Sequence, residues 1–274
     1  MHTVHAHGAE IPALGFGTWQ MSGSEAVRAT VHALEVGYRH IDTAQIYGNE
    51  AEVGRALADS PVAREEIFLT TKVWVENYGR REMAPSVEES LRKLGTDRVD
   101  LLLLHWPGRD VPLAETIEAL AEVRERGLTR HIGVSNFTPS LLADALSLSP
   151  APLVTNQVEY HPFLDQRKVL RSTREAGMAL TAYSPIARGR VMESARLREI
   201  GERYGKSPAQ VAIRWLLQQE GVSTIPKAAS PEHCEANFDV FDFALEPREM
   251  EEIHDLAEPG SRLVSPEGIA PDWE

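Results

Sequence analysis

Eight short apolar runs, each followed by a longer amphipathic segment, constrain this chain more than any other feature. The runs are Leu14–Gly17, Arg39–Asp42, Ile67–Val73, Val99–His105, His131–Val134, Val154–Val158, Ala179–Tyr183 and Val222–Pro226. Their continuous apolar character suits strands buried on both faces, as in a parallel sheet. The segments between them read as helices. Ser24–Gly37 sets Val27, Val31 and Leu34 on one face, and Gly37 supplies a left-handed stop. Val87, Leu91 and Leu94 repeat the pattern before Gly95, as do Leu113, Ile117, Leu120 and Val123 before Gly127. Three starts pair a hydroxyl cap with proline at the first helical position: Thr138-Pro139, Ser207-Pro208 and Ser230-Pro231. Ser207 with Gln210 also makes a capping box.

Eight strand–helix units in about 250 residues predict an α/β fold, a (β/α)8 TIM barrel forming a single domain over residues 1–274. The runner-up, a doubly wound sheet, would want a glycine-rich phosphate turn after its first strand. Gly15-Phe16-Gly17-Thr18-Trp19-Gln20 lacks the third glycine of that turn. Alternating stretches around His7-Gly8 predict an N-terminal β-hairpin against the barrel floor. Pro247–Leu256 reads as an extra C-terminal helix, and the tail from Arg262 as an ordered irregular segment.

Composition narrows the partners. Against 28 Lys+Arg stand 41 Asp+Glu, a formal net charge of −13, and no basic block occurs. Both features argue against a phosphate-tracking nucleic-acid binder. With 42% hydrophobic residues the 274-residue chain can bury a sizeable core, which excludes disorder as its main theme. Cys234 is the only cysteine, so no intramolecular disulfide or cysteine-based metal site is expected, and no metal is predicted. Apolar runs such as Leu101–Leu104 fall far short of the ~20 residues of a membrane span. The start, MHTVHAHGAEIPALGFG, has no basic region leading into an apolar one. The expectation is a soluble, cytoplasmic, monomeric protein with no nucleic-acid or membrane partner.

In such a barrel, reacting groups gather at the carboxyl ends of the strands. Asp42 ends the second run and Tyr47 lies in its loop; Lys72 belongs to the third and His105 ends the fourth. Ser135-Asn136, Gln157, Tyr183 and Lys227 follow at later strand ends. Taken singly, each has an ordinary structural role as cap, packing or snorkelling residue. Together, an acid, a phenol, an amine and an imidazole from three successive strand ends make chemical sense. A phenol with a pKa near 10 is a poor proton donor at neutral pH, and a buried ammonium beside it would lower that value. The ammonium needs a carboxylate to remain charged, and an imidazole can orient a carbonyl oxygen. Nothing in this set donates electrons, so a hydride must come from a cofactor. A Schiff-base aldolase using Lys72 would need the amine neutral, which Asp42 opposes.

The segment GYRHIDTAQIYGNE at 37–50 resembles the signature of the aldo-keto reductases. So do TTKVW at 70–74, VDLLLLHWP at 99–107, IGVSNF at 132–137, TNQVEYHP at 155–162, AYSP at 182–185 and IPKAASPEHCEANFDVFDF at 225–243. The likeness runs in order over essentially the whole chain. The tail RLVSPEGIAPDWE at 262–274 is most similar to the family's bacterial branch of diketogluconate and methylglyoxal reductases. The resemblance implies a tetrad of Asp42, Tyr47, Lys72 and His105. It implies contact of Gly17, Thr18 and Asp42 with the cofactor, and Ser135, Asn136 and Gln157 on the nicotinamide carboxamide. Tyr183 would stack on the nicotinamide, Ser184, Ile186 and Gly189 would cross the pyrophosphate, and Lys227, His233 and Asn237 would hold the adenosine and 2′-phosphate end.

Helix-start physics supports that last placement independently, because Lys227 precedes a helix capped by Ser230, and helix starts suit anions. The family's NADPH-preferring pattern has Ser after the lysine and Arg at position 233; this chain has Ala228 and His233. NADPH is therefore the expected cofactor, with NADH usable. Trp19, Trp74 and Trp106, joined by Trp273 from the tail, read as an aromatic substrate wall. With no arginine among these lining residues, a small polar carbonyl compound is expected rather than a large anion. The function implied is reduction of small aldehydes, 2-oxoaldehydes or keto sugars, with Tyr47 as proton donor. The alternative from another class is an NADP-binding, redox-sensing regulatory subunit with little turnover. The chain shows no docking extension for that role.

Overall fold

The computed structural model describes residues 2–273. β1 (Thr3–Ala6) and β2 (Ala9–Pro12) pair antiparallel through His7 and Gly8, whose φ values of 46° and 83° are both left-handed. That is the backbone of a tight hairpin turn, and glycine adopts it without a Cβ penalty. The His7 ring bonds the Ala176 carbonyl at 2.8 Å, just ahead of a barrel strand, which seats the hairpin against the floor as expected.

Eight strands follow, each parallel to the next: β3 (Phe16–Gly17), β4 (His40–Asp42), β5 (Phe68–Val73), β6 (Val99–Leu104), β7 (Thr129–Ser135), β8 (Leu153–Glu159), β9 (Ala179–Tyr183) and β10 (Val222–Thr224). The sheet curls until its ends meet. Gly15 N–H donates to the Thr224 carbonyl at 2.8 Å, and Thr224 N–H donates to that of Ala13 at 2.7 Å. Gly17 N–H reaches the Pro226 carbonyl at 3.1 Å, and a Cβ on Gly17 would stand 2.8 Å from the Ile225 carbonyl oxygen. Close backbone approach at this seam is thus a packing reason for Gly17, separate from any cofactor contact.

The helices wrap outside: α1 (Gly23–Val36), α2 (Glu50–Asp59), α3 (Arg80–Leu94), α4 (Leu113–Glu125), α5 (Pro139–Leu148), α6 (Arg167–Glu175), α7 (Ala195–Tyr204), α8 (Pro208–Leu217), α9 (Pro231–Phe238) and α10 (Pro247–His254). All three hydroxyl–proline starts form as read. Thr138, Ser207 and Ser230 accept from the N–H groups of Leu141, Gln210 and His233, and Gln210 closes its capping box.

Two sequence expectations need correction. Besides α10, a second extra helix, α7, precedes the barrel helix of the seventh unit, started by the Ser194 hydroxyl and stopped by left-handed Gly205. On α1 the buried stripe is Ala26, Ala29, Thr30, Ala33 and Leu34, while Val27 and Val31 are only half-buried. Small residues take the inner face because α1 packs closely between its neighbours, so side-chain size misread the stripe. Among the described residues no helix is long and apolar enough to cross a membrane.

Candidate active site

Asp42, the last residue of β4, and Lys72, in β5, are adjacent strands' contributions to one end of the barrel, and both are fully buried. The Lys72 ammonium donates to Asp42 Oδ1 at 2.5 Å, to the Thr43 carbonyl at 2.9 Å and to the Tyr47 hydroxyl at 3.3 Å. Three acceptors match the three protons of an ammonium, which is how such a charge survives burial. Tyr47 closes a 3-10 turn, Gln45–Tyr47, that left-handed Gly48 terminates. Gln45 anchors that turn by accepting from Trp74 N–H at 2.9 Å. His105 follows β6, pinned by its N–H to the Val73 carbonyl at 3.1 Å. Its ring stands edge-on to Tyr47 and to Trp74, at centroid distances of 5.6 and 5.4 Å. The four expected tetrad residues therefore meet.

Their electrostatics differ from the sequence expectation in one respect. Burial pushes the Tyr47 phenol above its ordinary value, and Lys72 pulls it back only in part. The ammonium opposes the shift as anticipated, yet desolvation is larger, so Tyr47 is held in its protonated form. Burial works against the Lys72 ammonium, but Asp42 and Tyr47 outweigh it and raise the pKa. A neutral amine for a Schiff base is disfavoured. Burial, seconded by the Lys72 charge, holds His105 well below the usual imidazole range. His105 is thus neutral, and its Nδ1 is buried without a hydrogen-bond partner among the described residues.

The later strand ends complete the rim. Gln157 of β8 donates its side-chain amide to Asp42 Oδ2 at 2.8 Å, leaving its own Oε1 without a partner among the described residues. Asn136, at φ 64°, donates to the His105 carbonyl at 3.0 Å and accepts from the Tyr183 hydroxyl at 2.7 Å. The Ser135 hydroxyl donates to the Gln157 carbonyl at 2.7 Å. Thr18 is wholly buried and spends its hydroxyl on the Asp42 carbonyl at 3.0 Å. Beyond β9 the chain takes left-handed conformations at Ser184, Ala187, Arg188 and Gly189, with Ile186 between them. Among the described residues Lys227 carries no ion pair, and it is half-buried beside the start of α9. His233 is exposed, and Asn237 is buried on the same helix.

An amide-and-hydroxyl rim beside the tetrad and an unpaired cation at a helix start fit the two ends of a nicotinamide dinucleotide. The free Gln157 Oε1 suits a carboxamide donor, and Lys227 beside the positive end of α9 suits a phosphate.

The tryptophans divide. Trp74 touches His105, and Trp106 meets Trp273 edge-on at 6.2 Å. Trp19 instead lies under the Arg188 guanidinium at 5.2 Å and is 37% exposed. Sequence reasoning missed several supports. Tyr78 donates its hydroxyl to the Trp106 carbonyl at 2.7 Å, and Asn49 bonds the carbonyls of Thr18 and Met21. Glu159 is fully buried and accepts from Leu263 N–H at 2.7 Å and Val264 N–H at 2.8 Å. Gln45, Asn49 and Glu159 were visible as polar residues inside the family-like segments; nothing local marked Tyr78.

A profile of the Aldo/keto reductase family matches residues 13–258, and the chain belongs to that family of oxidoreductases. It is 42% identical over 267 residues to the methylglyoxal reductase DkgB of Escherichia coli O157:H7, covering 96% of this chain and 99% of that protein. A solved structure of a candidate 2,5-diketo-D-gluconic acid reductase B superposes with a TM-score of 0.99 at 56% identity, covering 100% of this chain and 98% of the other. The aldose reductase of Schistosoma japonicum matches with a TM-score of 0.91 at 33% identity, covering 97% and 95%. Family membership establishes the (β/α)8 fold and carbonyl reduction as the class of chemistry.

Proposed function

We propose that this chain, acting as one barrel domain, is an NADPH-dependent reductase of small aldehydes, 2-oxoaldehydes and keto sugars, with NADH usable. The observation that carries this reading is the Lys72 ammonium shared between Asp42 Oδ1 and the Tyr47 hydroxyl. When bound, the cofactor supplies the hydride. Tyr47 gives its proton to the oxygen of the reduced carbonyl, and Lys72 stabilises the phenolate left behind. Asp42 keeps Lys72 charged throughout. Neutral His105 donates a hydrogen bond that orients the carbonyl oxygen without competing as an acid. Ser135, Asn136 and Gln157 would hold the carboxamide, Tyr183 the ring, Ser184, Ile186 and Gly189 the pyrophosphate, and Lys227, His233 and Asn237 the far phosphate. Trp74 and Trp106 wall the substrate.

The test is a panel of aldehydes, methylglyoxal and keto sugars followed by nicotinamide absorbance with each cofactor in turn. Turnover of 2-oxoaldehydes or keto sugars supports the reading, and failure to oxidise either reduced cofactor with any of them defeats it.

A further inference from the structure

We propose that Arg28, on α1, gives the 2′-phosphate of NADPH the guanidinium that position 233 of this chain lacks, and so sets the preference for NADPH over NADH. This rests on the reductase reading above and adds a specificity-determining residue to it.

Place comes first. α1 follows β3 and α9 follows β10, so both helices begin at the carboxyl end of the barrel, and Arg28, in the first half of α1, is level with the start of α9. The two helices are held together lower down. The Tyr38 hydroxyl, just past α1, donates to the Cys234 carbonyl of α9 at 3.1 Å, and the Tyr38 and Phe238 ring centroids are 4.9 Å apart. His32 Nε2 of α1 stands 3.2 Å from Glu235 Oε1 of α9. Toward the start of α9 the helices part around a cavity of about 220 Å³. Arg28 and Ala29 line it from α1, and Ala228, Ala229 and Ser230 line it from the approach to α9. Lys227, the expected phosphate ligand, directly precedes Ala228. The family's NADPH pattern has serine at 228 and arginine at 233; this chain has neither, and its arginine enters from α1 instead.

Charge comes second. Among the described residues the Arg28 guanidinium makes no ion pair and no hydrogen bond, and neither does the Lys227 ammonium. Glu25 lines the same cavity, one turn before Arg28, but stands beyond ion-pair distance of it. Two uncommitted permanent cations and the positive end of the α9 dipole thus flank one small cavity. Like charges repel unless an anion lies between them, and a phosphate dianion answers that need. A guanidinium meets phosphate oxygens with a planar fork of permanent charge, which neither the His233 imidazole nor the Ala228 methyl replaces. NADH carries a hydroxyl in place of that phosphate. Arg28 therefore separates the two cofactors at their adenosine end, without touching the groups around Tyr47.

The experiment measures binding rather than turnover. Dissociation constants are determined by calorimetry for NADPH and NADH, and for the fragments adenosine 2′,5′-bisphosphate and AMP. The proteins are wild type, Arg28→Gln, Arg28→Lys and, as a control for general charge, Arg171→Gln, whose exposed arginine lies on α6. Arg28→Gln is expected to weaken NADPH and the bisphosphate by roughly 5- to 20-fold and to leave NADH and AMP within about twofold. Arg28→Lys should keep part of the affinity, and Arg171→Gln all of it. Adding His233→Arg to Arg28→Gln should restore selectivity for NADPH. Arg28 is exposed, so the free variants should melt as wild type does. A loss that falls equally on ligands with and without the 2′-phosphate overturns the proposal, because it marks Arg28 as a structural residue. An equal loss in Arg171→Gln overturns it too, since the effect would then belong to the field of the whole protein. Failure of wild type to bind either dinucleotide would defeat the reductase reading itself, whereas normal binding that ignores Arg28→Gln defeats this inference alone.

Discussion

Gln157 donates its side-chain amide to Asp42 Oδ2 at 2.8 Å, from β8 to β4, while Lys72 holds Oδ1 at 2.5 Å. Both oxygens of a buried carboxylate are thus occupied. A buried ion pair repays its desolvation only when the remaining lone pairs are satisfied in this way, and breaking one partner leaves an uncompensated charge. Asp42→Asn is expected to cost about 3–5 kcal/mol of stability and to remove turnover. Thermal or urea unfolding beside steady-state kinetics checks this. Unchanged melting would show that Lys72 finds another counter-charge.

Tyr47→Phe keeps the ring that packs edge-on against His105 and removes only the hydroxyl. Stability should change little, because Lys72 retains Asp42 and the Thr43 carbonyl. Turnover should fall by roughly 10²- to 10⁴-fold, the usual contribution of a positioned acid. Reduction of methylglyoxal within about threefold of wild type would assign the proton to another group.

Stability should depend on pH at both ends. Burial holds His40 and His105 below the ordinary imidazole value of 6.5. The unfolded chain takes up protons near 6.5 that the folded chain refuses, so stability falls as pH drops from there toward the folded values. Lys72 has the opposite sign. Its raised pKa gives a contribution intact below 10.5 and lost as pH rises through the folded value. Glu50, raised by burial, favours the folded state at low pH and partly offsets the imidazoles as pH rises past 4.5. Urea midpoints across pH 5 to 7 should show a positive slope that His105→Gln reduces. An unaltered slope would remove His105 from the account.

Local chemistry explains what was legible in the sequence. A cap such as Ser230 acts on an N–H three residues away, so position alone revealed it. Alternation of apolar runs with helices revealed the barrel, and strand ends revealed Asp42, Tyr47, Lys72 and His105. Distant partnerships were not legible. Leu263 and Glu159 are 104 positions apart, and nothing in an irregular tail signals that its backbone N–H groups seek a buried carboxylate. Trp19 carried the same apparent label as Trp74, yet one lies under Arg188 and the other against His105. The balance between burial and the Lys72 charge at Tyr47 was also out of reach, because the sequence supplies the signs of such effects and not their sizes.

Glu159→Gln tests how the tail is held. The carboxylate accepts from Leu263 and Val264 on separate oxygens, so an amide must turn an NH2 group toward one backbone N–H. One bond is lost and another weakened, and charge-assisted bonds contribute about 1.5–3 kcal/mol each. The expected result is faster proteolytic trimming of the C-terminal segment and red-shifted Trp273 emission. A tail as resistant as wild type would mean that packing, not Glu159, anchors it.

Cofactor choice turns on α9. Ser230 caps the helix by accepting from His233 N–H at 3.3 Å, and the His233 side chain is exposed where the family's NADPH pattern places arginine. An imidazole offers at most two N–H donors on opposite sides of its ring, whereas a guanidinium offers a charged planar fork that matches a phosphate. Lys227, free of ion pairs among the described residues, and the positive end of the α9 dipole remain for the 2′-phosphate. NADPH should therefore be favoured only modestly, with NADH usable. His233→Arg should improve selectivity for NADPH by roughly 1–2 kcal/mol, within the range for charge-assisted hydrogen bonds, without altering the chemistry at Tyr47. The measurement is kcat/KM for both cofactors in wild type and variant, with dissociation constants by fluorescence to separate binding from turnover. A wild-type enzyme that already rejects NADH by about a thousandfold, some 4 kcal/mol, would show that Lys227 and the helix start suffice for the phosphate and that His233 limits nothing.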